Sequence, residues 1–109
     1  MIEKIYKLST GDKTVVEKLI MGEDLNYIHM VFEKEKGLAP HYANAVVHMT
    51  VLRGKLSITL EDQETAIYER GNMIVIPYGT KMHVRNEHDE VLELIVIKAP
   101  GAKHPVKYC

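Results

Sequence analysis

The chain has 109 residues, of which 46% are hydrophobic and 27% are charged, a composition typical of one soluble globular domain. Its formal net charge is −1, and its 14 Lys and Arg are interleaved with 15 Asp and Glu, so it lacks the basic patch of a nucleic-acid-binding protein. The apolar runs are too short to cross a bilayer or form a signal peptide. The one cysteine, Cys109, forms no internal disulfide. We therefore expect a cytoplasmic protein with no nucleic-acid or membrane partner.

Nine short runs with the composition and alternation of β-strands follow one another along the chain. Turn residues, chiefly glycine, proline and acidic residues, separate them, and no segment has a sustained helical period. This succession predicts an all-β sandwich or barrel in a single domain. The predicted strands are residues 2–8, 15–21, 26–33, 46–53, 55–60, 65–69, 72–76, 81–86 and 91–98.

The faces of these strands predict what each side contacts, because side chains alternate across a strand. In residues 55–60 one face is apolar and the other polar, which indicates one face on the core. Residues 73–76 and most of 91–97 are instead apolar on both faces, so both faces need cover. We therefore predict a homodimer. His29 alternates with apolar neighbours and is predicted to lie on the face opposite to them.

Two stretches carry spaced glycine, proline, histidine and asparagine residues. The second contains Gly71, Pro77, Gly79 and Asn86, and in the first Gly54 follows His41 by thirteen residues. These positions and spacings resemble the paired motifs of the cupin family, and the resemblance covers about residues 30–98. It implies a cupin-type double-stranded β-helix (jelly-roll) barrel over residues 1–109. The N-terminal strands would occupy about residues 1–33, and a short tail residues 99–109.

The resemblance also implies where a metal would be held. Metal-binding cupins use two His and a Glu from the first motif and a His from the second. Carried over position by position, these ligands fall on His41, Ala43, Val47 and Met82, so one of four is kept. In this register the interior is apolar and forms a ligand pocket. Its predicted residues are His41, Val47, Met49, Val51, Met82 and Val84.

A shifted register is the alternative. His48 and His83 each lie one residue beyond a ligand position, so a bulge in each strand would let them converge with His41. Three imidazoles suit a divalent transition metal such as Fe, Mn, Ni, Zn or Cu. The shift would also bury Arg85 unpaired, which is costly, so the first register is favoured.

Two functions follow from the two registers. The first is a small cupin-domain protein that binds a small apolar or carboxylated molecule in the barrel, with a degenerate metal site and no assignable reaction. The alternative is a metal-dependent cupin enzyme of the oxygenase or isomerase type, which would use His41, His48 and His83.

Overall fold

The computed structural model describes all 109 residues and contains ten β-strands and no helix, which confirms the all-β prediction. No segment therefore forms a helix that is long and apolar enough to span a membrane. The strands are β1 Val15–Met21, β2 Asn26–Phe32, β3 His41–Tyr42, β4 Val47–Arg53, β5 Lys55–Leu60, β6 Ala66–Glu69, β7 Met73–Ile76, β8 Lys81–Arg85, β9 Leu92–Lys98 and β10 Lys107–Tyr108.

The strands form two five-stranded sheets, each paired antiparallel throughout. The first sheet has the order β1-β2-β9-β4-β7 and the second has the order β10-β3-β8-β5-β6. Most neighbours within a sheet are distant in sequence, since β9 lies between β2 and β4 and β8 lies between β3 and β5. The chain thus crosses repeatedly from one sheet to the other, as in a jelly roll.

Two features differ from the strand prediction. Residues 2–8 form no strand, and Ile2 and Ile5 are exposed. The prediction was wrong there because a few apolar residues among charges do not form a strand by themselves. A strand also needs a sheet edge with which its backbone can pair. The second difference is that β3 and β10 are strands of two residues each, too short for an alternation pattern to show them.

The core lies between the two sheets. Phe32, Leu56, Ile58, Leu92 and Leu94 are among the side chains that pack there with almost no exposure. The turn between β4 and β5 depends on Gly54, whose φ of +79° belongs to the left-handed region. A Cβ at this position would also lie 2.3 Å from the carbonyl oxygen of Val91. Glycine is therefore required here for both reasons.

A buried polar cluster lies on the outer face of the first sheet. The His29 side chain has no exposure, its Nδ1 lies 2.6 Å from Glu17 Oε1, and its Nε2 lies 2.7 Å from Glu93 Oε2. Each ring nitrogen of His29 is therefore within hydrogen-bond distance of a different glutamate side chain. The Ser9 amide and hydroxyl donate to the same Glu17 oxygen, at 3.0 and 2.9 Å. The cluster thus ties the N-terminal segment to the sheet.

The hydrogen bonds in this cluster alter the acidity of Glu17. The bond from His29 lowers the pKa of the Glu17 carboxyl below its ordinary value of 4.5, and the bonds from Ser9 lower it further. The carboxylate is therefore held in its ionised form, which is the form that accepts all three bonds.

The strands that are apolar on both faces are only partly covered within one chain. Ile95, on the outer face of β9, is buried, whereas Met73 and Val75 of the edge strand β7 are each 54% exposed. The apolar outer face of β9 therefore finds part of its cover within the chain. The homodimer stays a prediction, and sedimentation at micromolar concentration checks it.

Candidate functional site

A cavity of about 450 Å³ opens between the two sheets, and 12 of its 17 lining residues are hydrophobic. This volume falls in the range of small-molecule sites. The inward side chains of β1, β2, β4 and β9 form one wall, and β3, β8 and the segment before β3 form the other. The other five lining residues are Gly37 and the polar residues Lys18, His41, Asn44 and Lys98, and Tyr108 adds a hydroxyl group.

The six predicted pocket residues separate into two groups. His41, Val47, Met49 and Met82 line the cavity. His41 of β3 pairs with Met82 of β8, so both side chains point to the same interior. The other two, Val51 and Val84, do not line the cavity but are completely buried in the hydrophobic core.

The three imidazoles of the shifted register lie on three different surfaces. β4 pairs with β7 without a break from Val47 to Thr50, and Val47 and Met49 are buried, so His48 points to the outer face of the first sheet. β8 pairs with β5 equally regularly, and His83 lies on the outer face of the second sheet. Neither strand has a bulge at its histidine, since the irregularity of β4 lies between Val51 and Arg53. The strands of this structure therefore pair in the unshifted register, and His41 alone of the three lines the cavity.

The donor atoms inside the barrel do not fit a divalent metal ion. At the four ligand positions only His41 carries an imidazole or carboxylate, because the others are the buried Ala43, Val47 and Met82. No group of three His, Cys, Asp or Glu in the chain is placed to hold a metal. On the outer face of the second sheet, burial of the imidazole is the main cause that lowers the pKa of His83, and the positive charge of the nearby Arg85 lowers it further.

Two lysines that the sequence analysis assigned no role face the cavity. Lys98 of β9 pairs with Val47 and Lys18 of β1 pairs with Ile28, so both lie on the cavity side of their strands. Lys98 is half-buried, whereas Lys18, on the edge strand β1, is exposed. Neither forms a salt bridge, and no Asp or Glu lines the cavity. The signal was present, because Lys98 continues the inward alternation of β9, where a charge is unexpected.

Asn44 positions the amine of Lys98. Lys98 Nζ donates to Asn44 Oδ1 at 2.7 Å, while Asn44 Nδ2 donates to the His104 carbonyl oxygen at 2.7 Å. The lysine is half-buried, and desolvation, followed by repulsion from Lys18, lowers its pKa below the ordinary value of 10.5. The backbone of the C-terminal segment thus orients Asn44, and Asn44 in turn orients Lys98.

The C-terminal segment also closes one side of the cavity. β10 pairs with β3, which brings Tyr108 beside His41, with ring centroids 6.2 Å apart. Val106 and Tyr108 both line the cavity. His41 Nδ1 lies 2.8 Å from the Ala39 carbonyl oxygen, so this nitrogen carries the hydrogen. The segment 99–109 is therefore part of the site and not a loose tail.

Comparison with known proteins agrees with this architecture. Residues 28–98 match the family model described as the cupin domain. This chain belongs to the cupin family. The uncharacterized protein MJ0764 of Methanocaldococcus jannaschii is 40% identical to this cupin over 108 residues, which are 98% of this chain and 90% of that protein.

Solved structures confirm the cupin-type double-stranded β-helix. An RmlC-like cupin family protein with that fold, from M. jannaschii, superposes with a TM-score of 0.89 at 37% identity, covering 93% of this chain and 94% of the other. The polyketide cyclase RemF of Streptomyces resistomycificus has a TM-score of 0.79 at 18% identity, with 99% and 85% covered. At that identity the second likeness shows the fold alone.

Proposed function

We propose that this cupin binds a small molecule with an apolar body and a carboxylate head in the barrel cavity, without a metal ion. The observation that carries the proposal is the pair of lysines, half-buried Lys98 and exposed Lys18, at a mostly apolar cavity that no acidic residue lines.

The walls support an apolar body for the ligand. Met30, Met49 and Met82 line the cavity together with aliphatic side chains of β2, β4 and β9. Methionine is flexible and polarisable, so such a surface adapts to ligands of different shape. A cavity of about 450 Å³ accommodates a branched aliphatic or small aromatic group.

The lysines support a carboxylate head. Two cations that face the same cavity repel each other, and an anion between them relieves that repulsion. A hydrogen bond between an ammonium group and a carboxylate is among the stronger ones in proteins, and more so where water is largely excluded. The ligand carboxylate would therefore lie at the Lys98 end of the cavity and its apolar part against the methionines.

Methionine-methyl NMR tests the proposal with isocaproate as the probe. The chain has 6 methionines, of which Met30, Met49 and Met82 line the cavity, whereas Met21 and Met73 are exposed and serve as internal controls. We expect isocaproate to shift the three cavity methyl signals in a saturable way and to leave the exposed ones unchanged. Unchanged cavity signals at millimolar isocaproate would refute the proposal.

A matched pair of variants tests the role of charge. Lys98→Met is expected to weaken isocaproate binding about tenfold or more, because a hydrogen bond to a charged group is lost. Lys81→Met removes an exposed lysine that does not line the cavity, so it is expected to leave binding unchanged. Isoamyl alcohol, which lacks the carboxylate, should bind both variants equally. Equal isocaproate affinity in the two variants would contradict the carboxylate assignment.

Metal analysis separates this proposal from the metal-dependent enzyme. Protein purified without an affinity tag is dialysed against Fe, Mn, Ni, Zn or Cu and its metal content measured. We expect no stoichiometric binding that depends on His41. Near-stoichiometric metal that is lost in His41→Ala would overturn the proposal in favour of the metal enzyme.

A further inference from the structure

We infer that Lys98 is a reactive amine that condenses with the carbonyl carbon of a keto acid in the cavity, forming an imine. The inference rests on the proposed function and narrows its ligand to a carboxylate that also carries a ketone or aldehyde. It is carried by the position of Lys98, which faces a mostly apolar cavity that a second lysine, but no acid, also lines.

The surroundings of Lys98 favour the neutral amine, which is the nucleophilic form. Desolvation and the charge of Lys18 both lower its pKa. Lysine is activated as a nucleophile when it is desolvated in an apolar pocket or placed next to another cation. The other titratable side chains that line the cavity, His41 and Tyr108, are not carboxylic acids, so no side-chain carboxylate of the lining holds the proton on Lys98.

The hydrogen bond to Asn44 leaves the amine able to react. Lys98 Nζ donates one hydrogen to Asn44 Oδ1 at 2.7 Å, and Asn44 is itself anchored through its Nδ2 to the backbone of His104. A neutral amine held in this way keeps a lone pair for the ligand. The anchor limits the motion of the nitrogen, which favours attack in a defined geometry.

The covalent step needs no oxidant or reductant. The lone pair of Lys98 Nζ forms a bond to the carbonyl carbon, and the carbonyl π electrons move to the oxygen. Transfer of a proton from nitrogen to that oxygen gives a carbinolamine. Loss of the hydroxyl group and a second nitrogen-bound hydrogen as one water molecule leaves the carbon–nitrogen double bond.

The second lysine accounts for the keto acid class. While the carbonyl reacts at Lys98, Lys18 faces the same cavity and is free to pair with the ligand carboxylate. A keto acid carries both groups in one ligand, one for each of the two lysines that line the cavity. The apolar chain of an α-keto acid then extends toward Met30, Met49 and Met82.

Reductive trapping with α-ketoisocaproate and cyanoborohydride tests the inference. Reduction makes the imine permanent and adds the mass of the keto acid less one oxygen atom, and peptide mass spectrometry locates it. At neutral pH we expect Lys98 to be modified about tenfold or more faster than the exposed Lys55, because more of it is neutral. Isocaproate, which lacks the ketone, should not be incorporated but should slow the labelling of Lys98. Labelling of Lys98 no faster than that of Lys55 would overturn the inference.

Two variants separate the imine from binding alone. Lys98→Arg keeps the positive charge but cannot condense, so we expect trapping at this position to vanish while isocaproate still shifts the cavity methionine signals. Lys18→Gln removes the neighbouring cation, so the pH at which the trapping rate reaches half its maximum is expected to rise. An unchanged pH profile in Lys18→Gln would contradict activation by that lysine.

The results distinguish the two proposals. If isocaproate shifts the cavity methionines and Lys98 is not trapped, the imine is refuted and the binding function stands. If the keto acid is trapped at Lys98 and this labelling is blocked by isocaproate, both are supported. If isocaproate shifts nothing and no selective trapping occurs, both fail.

Discussion

Replacing His29 by leucine tests the buried cluster on the outer face of the first sheet. The two ring nitrogens of His29 lie 2.6 Å from Glu17 and 2.7 Å from Glu93, and the side chain has no exposure. Leucine has a similar volume and leaves little empty space, but it donates to neither carboxylate. The substitution therefore removes two charge-assisted hydrogen bonds with little change in packing.

The structure sets the size of the effect. A hydrogen bond to a charged group contributes about 1.5–3 kcal/mol, so two give about 3–6 kcal/mol. The Glu17 and Glu93 side chains keep 24% and 21% exposure, so water partly replaces the lost donor. We therefore expect His29→Leu to lower the free energy of unfolding by about 3 kcal/mol, near the lower bound. For a domain of this size that corresponds to a Tm lower by about 12–24 °C.

Urea unfolding followed by far-ultraviolet circular dichroism measures the change at neutral pH. Wild type and variant are compared at two equal protein concentrations, so that any self-association affects both alike. His104→Leu is the matched control, because this histidine is exposed and its side chain makes no hydrogen bond. A loss below about 1 kcal/mol in His29→Leu, or an equal loss in His104→Leu, would refute the stabilising role of the two hydrogen bonds assigned to the buried imidazole.

Four further predictions use the same unfolding measurement. The hydrogen bond from the buried imidazole lowers the pKa of Glu17, so the stability that the ionised Glu17 contributes is complete above pH 4.5 and is lost as pH falls through the folded-state pKa. Glu17→Gln should therefore make the free energy of unfolding depend less on pH in the acid range. An unchanged dependence there would contradict the role of Glu17. Because burial lowers the pKa of Lys98 below 10.5, the wild type should gain stability relative to Lys98→Met as pH rises from the folded-state pKa to 10.5. If the difference in unfolding free energy between the two proteins did not change over this pH range, that would count against a desolvated amine. Both Gly54 and Gly79 have positive φ, so alanine at Gly79 should cost about 1–2 kcal/mol of unfolding free energy. Gly54→Ala should cost more, because only there would the new Cβ also clash with a backbone carbonyl oxygen. Equal losses in the two variants would rule out that clash. Asn86→Ala should cost about 3 kcal/mol, since the buried amide donates to two backbone carbonyls and accepts one backbone hydrogen bond; a change under about 1 kcal/mol would show those bonds to be dispensable.

The barrel and much of its interior were predictable from the sequence. Alternation along residues 46–53 and 81–86 places Val47 and Met82 on the inner face and His48 and His83 on the outer face, and the structure has that register. The reason is physical: a strand has a period of two, and burying the apolar set leaves one choice of face. Spaced glycine and proline positions added the family resemblance, which the match over residues 28–98 confirms.

The partners of each side chain across strands depended on the tertiary structure. His29 meets Glu93, which is 64 residues away in the sequence, and Lys98 meets Asn44, which is 54 residues away. Alternation along one strand determines the face of a residue but carries no information about which strand becomes its neighbour. The two-residue strands β3 and β10 are likewise formed by pairing alone, and they bring Tyr108 to the cavity. The sequence by itself thus determined the barrel, its apolar interior and the face on which each strand residue lies. The partners of Lys98 and of His29 and the closed cavity wall arise from contacts between distant segments.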